Sequence, residues 1–130
     1  MNKEKLGYDL SKLRNGRPVN GLTKYSIKSI ETGRSSYPVT NLLKYCKELS
    51  LRLVLTDKAT GESYPADEIQ EVHEILQMLM KRWQFDEASM YRKAEVHYTP
   101  PKGDNGSLSI STMLAMCSVL RCKLSFIQTN

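Results

Sequence analysis

The chain has 130 residues, 40% of them hydrophobic, with a formal net charge of +5 and a pI near 9.1. That length makes one domain or two very small ones with a modest core. No apolar run is long enough to span a bilayer and no signal-peptide pattern is present, so a cytoplasmic protein with no membrane association is expected.

Charge is unevenly spread. Residues 1–57 carry eleven Lys/Arg against five Asp/Glu, residues 58–80 one against five, and residues 81–130 seven against four. A basic excess suits a polyanionic partner, although many proteins without one share it. Three cysteines is an odd number. With two of them on expected buried faces, free thiols in a reducing compartment are the natural reading.

Leu6, Leu10 and Leu13 predict a first helix from about Lys3 to Arg14. Asn15-Gly16-Arg17-Pro18-Val19-Asn20 follows, a run of turn formers. A second helix opens after Gly21-Leu22, with Thr23 as N-cap, Leu22, Ile27 and Ile30 on one face, and Gly33 just past its end. Its outward positions are Lys24, Tyr25, Ser26, Lys28 and Ser29, with no acid until Glu31. Hydroxyls, one aromatic and two cations suit phosphate and base-edge contacts in a DNA major groove. Taken singly, Lys24 and Lys28 read equally well as a solvated helix face.

Val39, Leu42, Leu43, Cys46 and Leu49 then share one face of a third helix, and Leu51, Leu53 and Leu55 alternate as a strand. Ser63-Tyr64 reads as a returning strand that makes a hairpin and ends at Pro65. Asp67 with Gln70 opens the strongest helix of the chain, running to about Trp83 on a stripe of Ile69, Val72, Leu76, Leu79, Met80 and Trp83. His73 lies beside that stripe with no second ligand one turn away, and reads as a packing residue. Asp86–His97 reads as another helix capped by Asp86. Tyr98–Gly106, rich in Pro and Gly, is either an insertion, the preferred reading, or a wing touching phosphate through Lys102.

The C-terminus repeats the third helix and its strand. Ile110, Met113, Leu114, Cys117 and Leu120 have helical spacing, and Cys122, Leu124 and Phe126 alternate. At a fixed offset of 71, Cys46 falls on Cys117, Leu43 on Leu114, Leu49 on Leu120 and Leu53 on Leu124. An internal repeat accounts for this more simply than convergence of two amphipathic units. Further upstream, setting Glu95 on Glu31 brings Ala94 onto Ile30 and Tyr91 onto Ile27, a weak echo in which Ser89, Arg92, Lys93 and Lys102 are the second-repeat candidates for DNA contact. The expected organisation is a first repeat at 1–57, a turn and hairpin linker at 58–66 and a second, degenerate repeat at 67–130. The repeats are expected to pack through Leu42, Leu43, Leu49, Met113, Leu114, Leu120 and the long-helix stripe.

The pattern G-L-T-x-x-S-I-x-x-I-E-x-G at Gly21–Gly33, followed by P-V-x-x-L-L-K-Y-x-x-x-L at Pro38–Leu49, resembles the XRE family of helix-turn-helix domains (lambda-repressor-like, Cro-type). The resemblance implies a mainly α, lambda-repressor-like fold; with the internal repeat, the expected fold is mainly α with short strands, in two tandem diverged helix–helix–strand repeats. It implies a sequence-specific regulator that binds double-stranded DNA, with Thr23, Lys24, Tyr25, Ser26, Lys28 and Ser29 facing bases and backbone. Arg34, Ser35 and Ser36 would contact phosphate beyond the helix. Glu31, which phosphates repel, is expected to pair with an arginine of the first helix or loop. A homodimer reading a two-fold site, half-sites about one helical turn apart, goes with this. The chain departs from the family at Asn15–Asn20, where the first motif helix is reduced to one turn or is a loop.

Two other functions are weighed. A degenerate helix-turn-helix that keeps its packing faces is an interaction module, with strands Leu51–Thr56 and Cys122–Gln128 extending a sheet across a dimer or pairing within one chain. An enzyme is not expected: no nucleophile, base and orienter set is visible, His73 and His97 lack recognisable partners, and no glycine loop for phosphate is present. No metal, cofactor or small-molecule substrate is expected.

Overall fold

The computed structural model describes residues 2–98 and 107–129. Asn2 caps the first helix, α1 (Lys3–Arg14), by accepting the Lys5 N–H at 2.8 Å. Asn15 ends it in the left-handed conformation, φ 47°. Then come α2 (Lys24–Thr32), α3 (Val39–Glu48), β1 (Leu51–Asp57), β2 (Ser63–Ala66), α4 (Ile69–Arg82), α5 (Glu87–Ala94), α6 (Ile110–Leu120) and β3 (Cys122–Gln128). The described residues thus form a mixed α/β fold of six helices and one three-stranded antiparallel sheet in the order β2-β1-β3. Each half of the chain contributes three helices before its strand of the β1–β3 pair, one more than a helix–helix–strand unit.

The core lies between the sheet and the helices. Leu51, Leu53 and Leu55 of β1 and Leu124 of β3 are buried with Leu42, Cys46 and Leu49 of α3, Val72, Leu76 and Leu79 of α4, and Met113, Cys117 and Leu120 of α6. Leu114 is only partly covered. Of the α4 stripe, Ile69 is half-buried and Trp83, one residue past the helix, is 39% exposed. All three cysteines are buried free thiols. Burial pushes the Cys46 thiol up to about 12.

The two strands pair within one chain, in the register Leu51↔Gln128 through Asp57↔Cys122. In this register Val54 faces Ser125, its counterpart at the 71-residue offset. The flanking bonds are reciprocal under the same offset: Lys58 N–H to Arg121 O at 3.0 Å, and Thr129 N–H to Ser50 O at 2.7 Å. A second such pair joins the starts of α3 and α6. Pro38 bridges Ser109, with Val39 N–H to Leu108 O and Ile110 N–H to Tyr37 O both at 2.8 Å. Ser50 and Arg121, each between helix and strand, share φ 55°. These matched pairs define a local two-fold axis through Val54/Ser125 and Pro38/Ser109.

Several local expectations shift. β2 continues through Pro65, which lies opposite Val54. The Val54 backbone is turned to β3, so nothing on β1 requires a donor from Pro65, and proline is tolerated on this edge strand. The capping pair of α4 is Glu68 with Glu71, one residue later than Asp67 with Gln70. Asp67 is instead drawn to Arg52, whose Nε and Nη2 donate to its carboxylate at 3.0 and 2.8 Å. Helix α5 stops at Ala94 rather than His97, because Glu95 turns left-handed at φ 58°. Among the described residues no helix is long and apolar enough to cross a membrane.

Candidate nucleic-acid interface

Helix α2 is held by backbone proximity on one side and by a partly buried ion pair on the other. Gly7 of α1 sits so close to the end of α2 that a Cβ on it would strike the Ile30 carbonyl oxygen and approach the Glu31 oxygen to 2.5 Å. Gly33, which ends α2 at φ 63°, lies as close to the first turn of α1: a Cβ there would meet the Lys3 carbonyl, with its oxygen at 2.5 Å. Two glycines therefore set the approach of these helices. Glu31 then takes a two-pronged contact from Arg14, Nε–Oε2 2.6 Å and Nη2–Oε1 3.1 Å. It is the first-helix arginine pairing expected for this acid. The Tyr45 hydroxyl of α3 lies 2.5 Å from the same Oε2 and 3.1 Å from the Leu10 carbonyl oxygen. Burial, foremost, and the Glu31 carboxylate keep the Tyr45 hydroxyl protonated by raising its pKa.

No helix forms among residues 15–23. The segment is a loop pinned to the end of α1: the Arg17 guanidinium donates to Leu13 O at 2.8 Å and Arg14 O at 3.2 Å, and Val19 is buried. Of the two alternatives for Asn15–Asn20, the loop is the one adopted, and α1 is the helix that packs on α2.

What α2 presents outward is short and cationic. Lys24 and Lys28 are exposed, Tyr25 is 76% exposed, and Ser26 and Ser29 are half-buried. Thr23 is exposed but its hydroxyl is engaged, accepting the Ser26 N–H at 3.1 Å and donating to the Ser26 hydroxyl at 3.0 Å. Arg34 and Ser35 continue the exposed surface past Gly33. Among the described residues Lys24, Lys28 and Arg34 have no ion-pair partner, whereas Arg14, Lys47, Arg52 and Arg82 do. Ser36 is turned to another task, accepting the Ser111 N–H of α6 at 3.3 Å.

One group went unnoticed in the sequence. On the outer side of α1 the Lys12 ammonium lies 4.4 Å from the Tyr8 ring centroid and that of Lys5 5.9 Å from it, with Tyr8 itself 53% exposed. The spacing Lys5, Tyr8, Lys12 was the available signal.

The second half does not reproduce this surface. Helix α5 packs on α6, whereas α2 packs chiefly on α1. The echo that set Glu95 on Glu31 therefore fails in three dimensions. Glu31 is a paired residue inside a helix, and Glu95 is an exposed left-handed cap. Tyr91 is 49% exposed and stacks on His97 at 4.2 Å, unlike half-buried Ile27. Ser89 is half-buried and accepts from Arg92 at 3.3 Å, while Arg92 and Lys93 are exposed. Asp86 caps α5 through the Ser89 N–H at 2.7 Å, which holds its carboxyl below the ordinary range, and Glu87 follows. The N-terminus of α5 is thus negative, and that of α2 has no acid in its first turn. Lys102 lies outside the described residues.

His73 is a core residue, its Nδ1 2.7 Å from the Tyr98 hydroxyl with the rings stacked at 5.8 Å. No group of three or more His, Cys, Asp or Glu side chains among the described residues converges as a metal site. No protein-family model matches the chain, and neither the curated proteins nor the solved structures contain a significant match to it.

Proposed function

We propose that the chain binds double-stranded DNA as a transcriptional regulator of the XRE helix-turn-helix type, with α1 and α2 as the motif helices and α2 as the reading helix. In this reading residues 38–57 and 109–128 derive from a duplicated helix–strand unit, and only the first half keeps a reading helix. The observation that carries it is the outward face of α2. Lys24, Tyr25, Lys28 and Arg34 are solvent-facing and unpaired on a helix anchored through Gly7, Gly33 and the Arg14–Glu31 contact. Unpaired cations are free to displace counterions from phosphate, and a rigidly seated helix loses little entropy on entering a groove. Thr23, Ser26 and Ser29 add hydroxyls at the groove floor. Arg34 and Ser35 reach phosphate, while Ser36 supports their loop from α6. Asp86 and Glu87 at the start of α5 make the face of Ser89, Arg92 and Lys93 less favourable to phosphate than that of α2.

The test is fluorescence anisotropy with random-sequence duplex DNA at two salt concentrations. Binding should weaken steeply with salt, and Lys24→Glu with Lys28→Glu should abolish it while the melting temperature stays unchanged. Absence of binding at low salt sinks the reading. The nine-residue loop 15–23, in place of a tight turn, favours the second reading, an interaction module without DNA contact. That module would show salt-insensitive association with another protein surface.

A further inference from the structure

The local two-fold axis exposes an asymmetry at the sheet edges. β1 and β3 are counterparts, and each offers one edge to the other. The remaining edge of β1 is taken by β2, Leu53↔Ala66 to Thr56↔Ser63. No described segment pairs with the remaining edge of β3.

The hydrogen-bond phase identifies the open groups. Lys58/Arg121 and Ser50/Thr129 are bonded pairs, and bonded pairs recur at every second residue of an antiparallel ladder. Lys123, Ser125 and Ile127 therefore turn their backbone groups to β1. Leu124 and Phe126, with Cys122 and Gln128 beside them, turn theirs outward. Side-chain burial tells the same story. Leu55 and Thr56 of β1 are fully and partly covered; their counterparts Phe126 and Ile127 are half-buried and 47% exposed.

We propose that this edge is a self-association surface: two copies of the chain pair β3 to β3 antiparallel about a two-fold axis at Ser125, joining two three-stranded sheets into one of six. One register aligns the whole strand with the open groups in phase. It sets Leu124 opposite the second copy's Phe126 and Lys123 opposite its Ile127, twice each, with Ser125 facing Ser125. No like charges oppose one another. The apolar pair lies on the core side of the sheet, where Phe126 is short of cover. The pairing repeats between chains what β1 and β3 already do within one, where counterpart Val54 faces Ser125. An unpaired seven-residue edge with a single charge is otherwise an open template for association. The inference stands apart from the DNA reading, since it uses no residue of α2.

Ile127 gives a test specific to this register, because its side chain is exposed and its backbone serves β1. Ile127→Lys sets Lys against Lys123 twice, and Ile127→Glu makes two opposite-charge pairs at the same positions. Sedimentation equilibrium of the full chain should show a dimer, weakened roughly tenfold by Ile127→Lys and unchanged or tightened by Ile127→Glu. Circular dichroism should show both variants folded. A wild-type chain that stays monomeric to about 500 μM overturns the proposal, as does equal weakening by Lys and Glu. DNA binding measured on the same variants separates failure of this surface from failure of the α2 reading.

Discussion

Gly7→Ala makes opposite predictions from local and from tertiary physics. Inside a helix this exchange is favourable by about 1 kcal/mol, because alanine loses less backbone entropy. In the folded protein the new methyl meets the Ile30 carbonyl oxygen, the Glu31 oxygen at 2.5 Å and the Glu31 carbonyl carbon at 2.7 Å. All three are backbone atoms, so no rotamer change relieves the contact. Ordinary van der Waals contact begins at 3.4 Å, so α1 and α2 must separate by about 1 Å. That loosens Leu6, Leu10 and Ile30, each 0% exposed. Overpacking of this kind costs about 1–3 kcal/mol and the lost packing adds to it. The net expectation is destabilisation by about 2 kcal/mol, a fall in Tm of roughly 5–10 °C by differential scanning calorimetry. Gly16→Ala is the control. At φ +76° it strains the backbone by about 1 kcal/mol, but nothing lies within 4 Å of its Cβ. A Gly7→Ala protein that melts at or above wild type refutes the close α1–α2 packing, and with it the anchoring of α2.

Three further outcomes follow from named contacts. Glu31→Gln leaves the Arg14 guanidinium and the Tyr45 hydroxyl without their carboxylate; urea titration should show a loss of about 2 kcal/mol, and Arg14→Met/Glu31→Leu together should recover part of it. Ser50→Gly and Arg121→Gly each relieve a left-handed residue at φ 55° and should raise stability by about 0.5–1 kcal/mol apiece, additively; unequal effects would argue against the two-fold relation. Asp57 is pushed up by burial but held lower overall by the Arg82 guanidinium, Nη1–Oδ2 2.7 Å, and the Ala59 N–H. Its folded carboxyl therefore titrates below the ordinary carboxylate value. The stabilisation is complete above that value and is lost as pH falls through it toward the folded one, so Asp57→Asn should flatten the acid side of a Tm-against-pH curve.

Much of the local structure is determined by the sequence itself. The bounds of α1, the Thr23 and Asp86 caps, the Gly33 stop and the repeated helix–strand spacing all follow from interactions within a few residues, which a pattern of three to four positions records. That Glu31 pairs with an arginine of the first helix or loop was legible too, since phosphate repels a carboxylate; which arginine was not. Other features depend on contacts between residues far apart in the chain. Helix α5 turns to α6 although its sequence echoes α2, because Met90 buries in the common core and Glu95 ends the helix early. The role of Gly7 is invisible locally, where glycine only weakens a helix; it is set by the Ile30 carbonyl across the gap. The pairing of β1 with β3, and hence the local axis and the open edge, needs strands from the middle and the end of the chain. Hydrophobic alternation tells which face of a strand is buried but leaves its neighbour unspecified, and only the folded sheet supplies that choice.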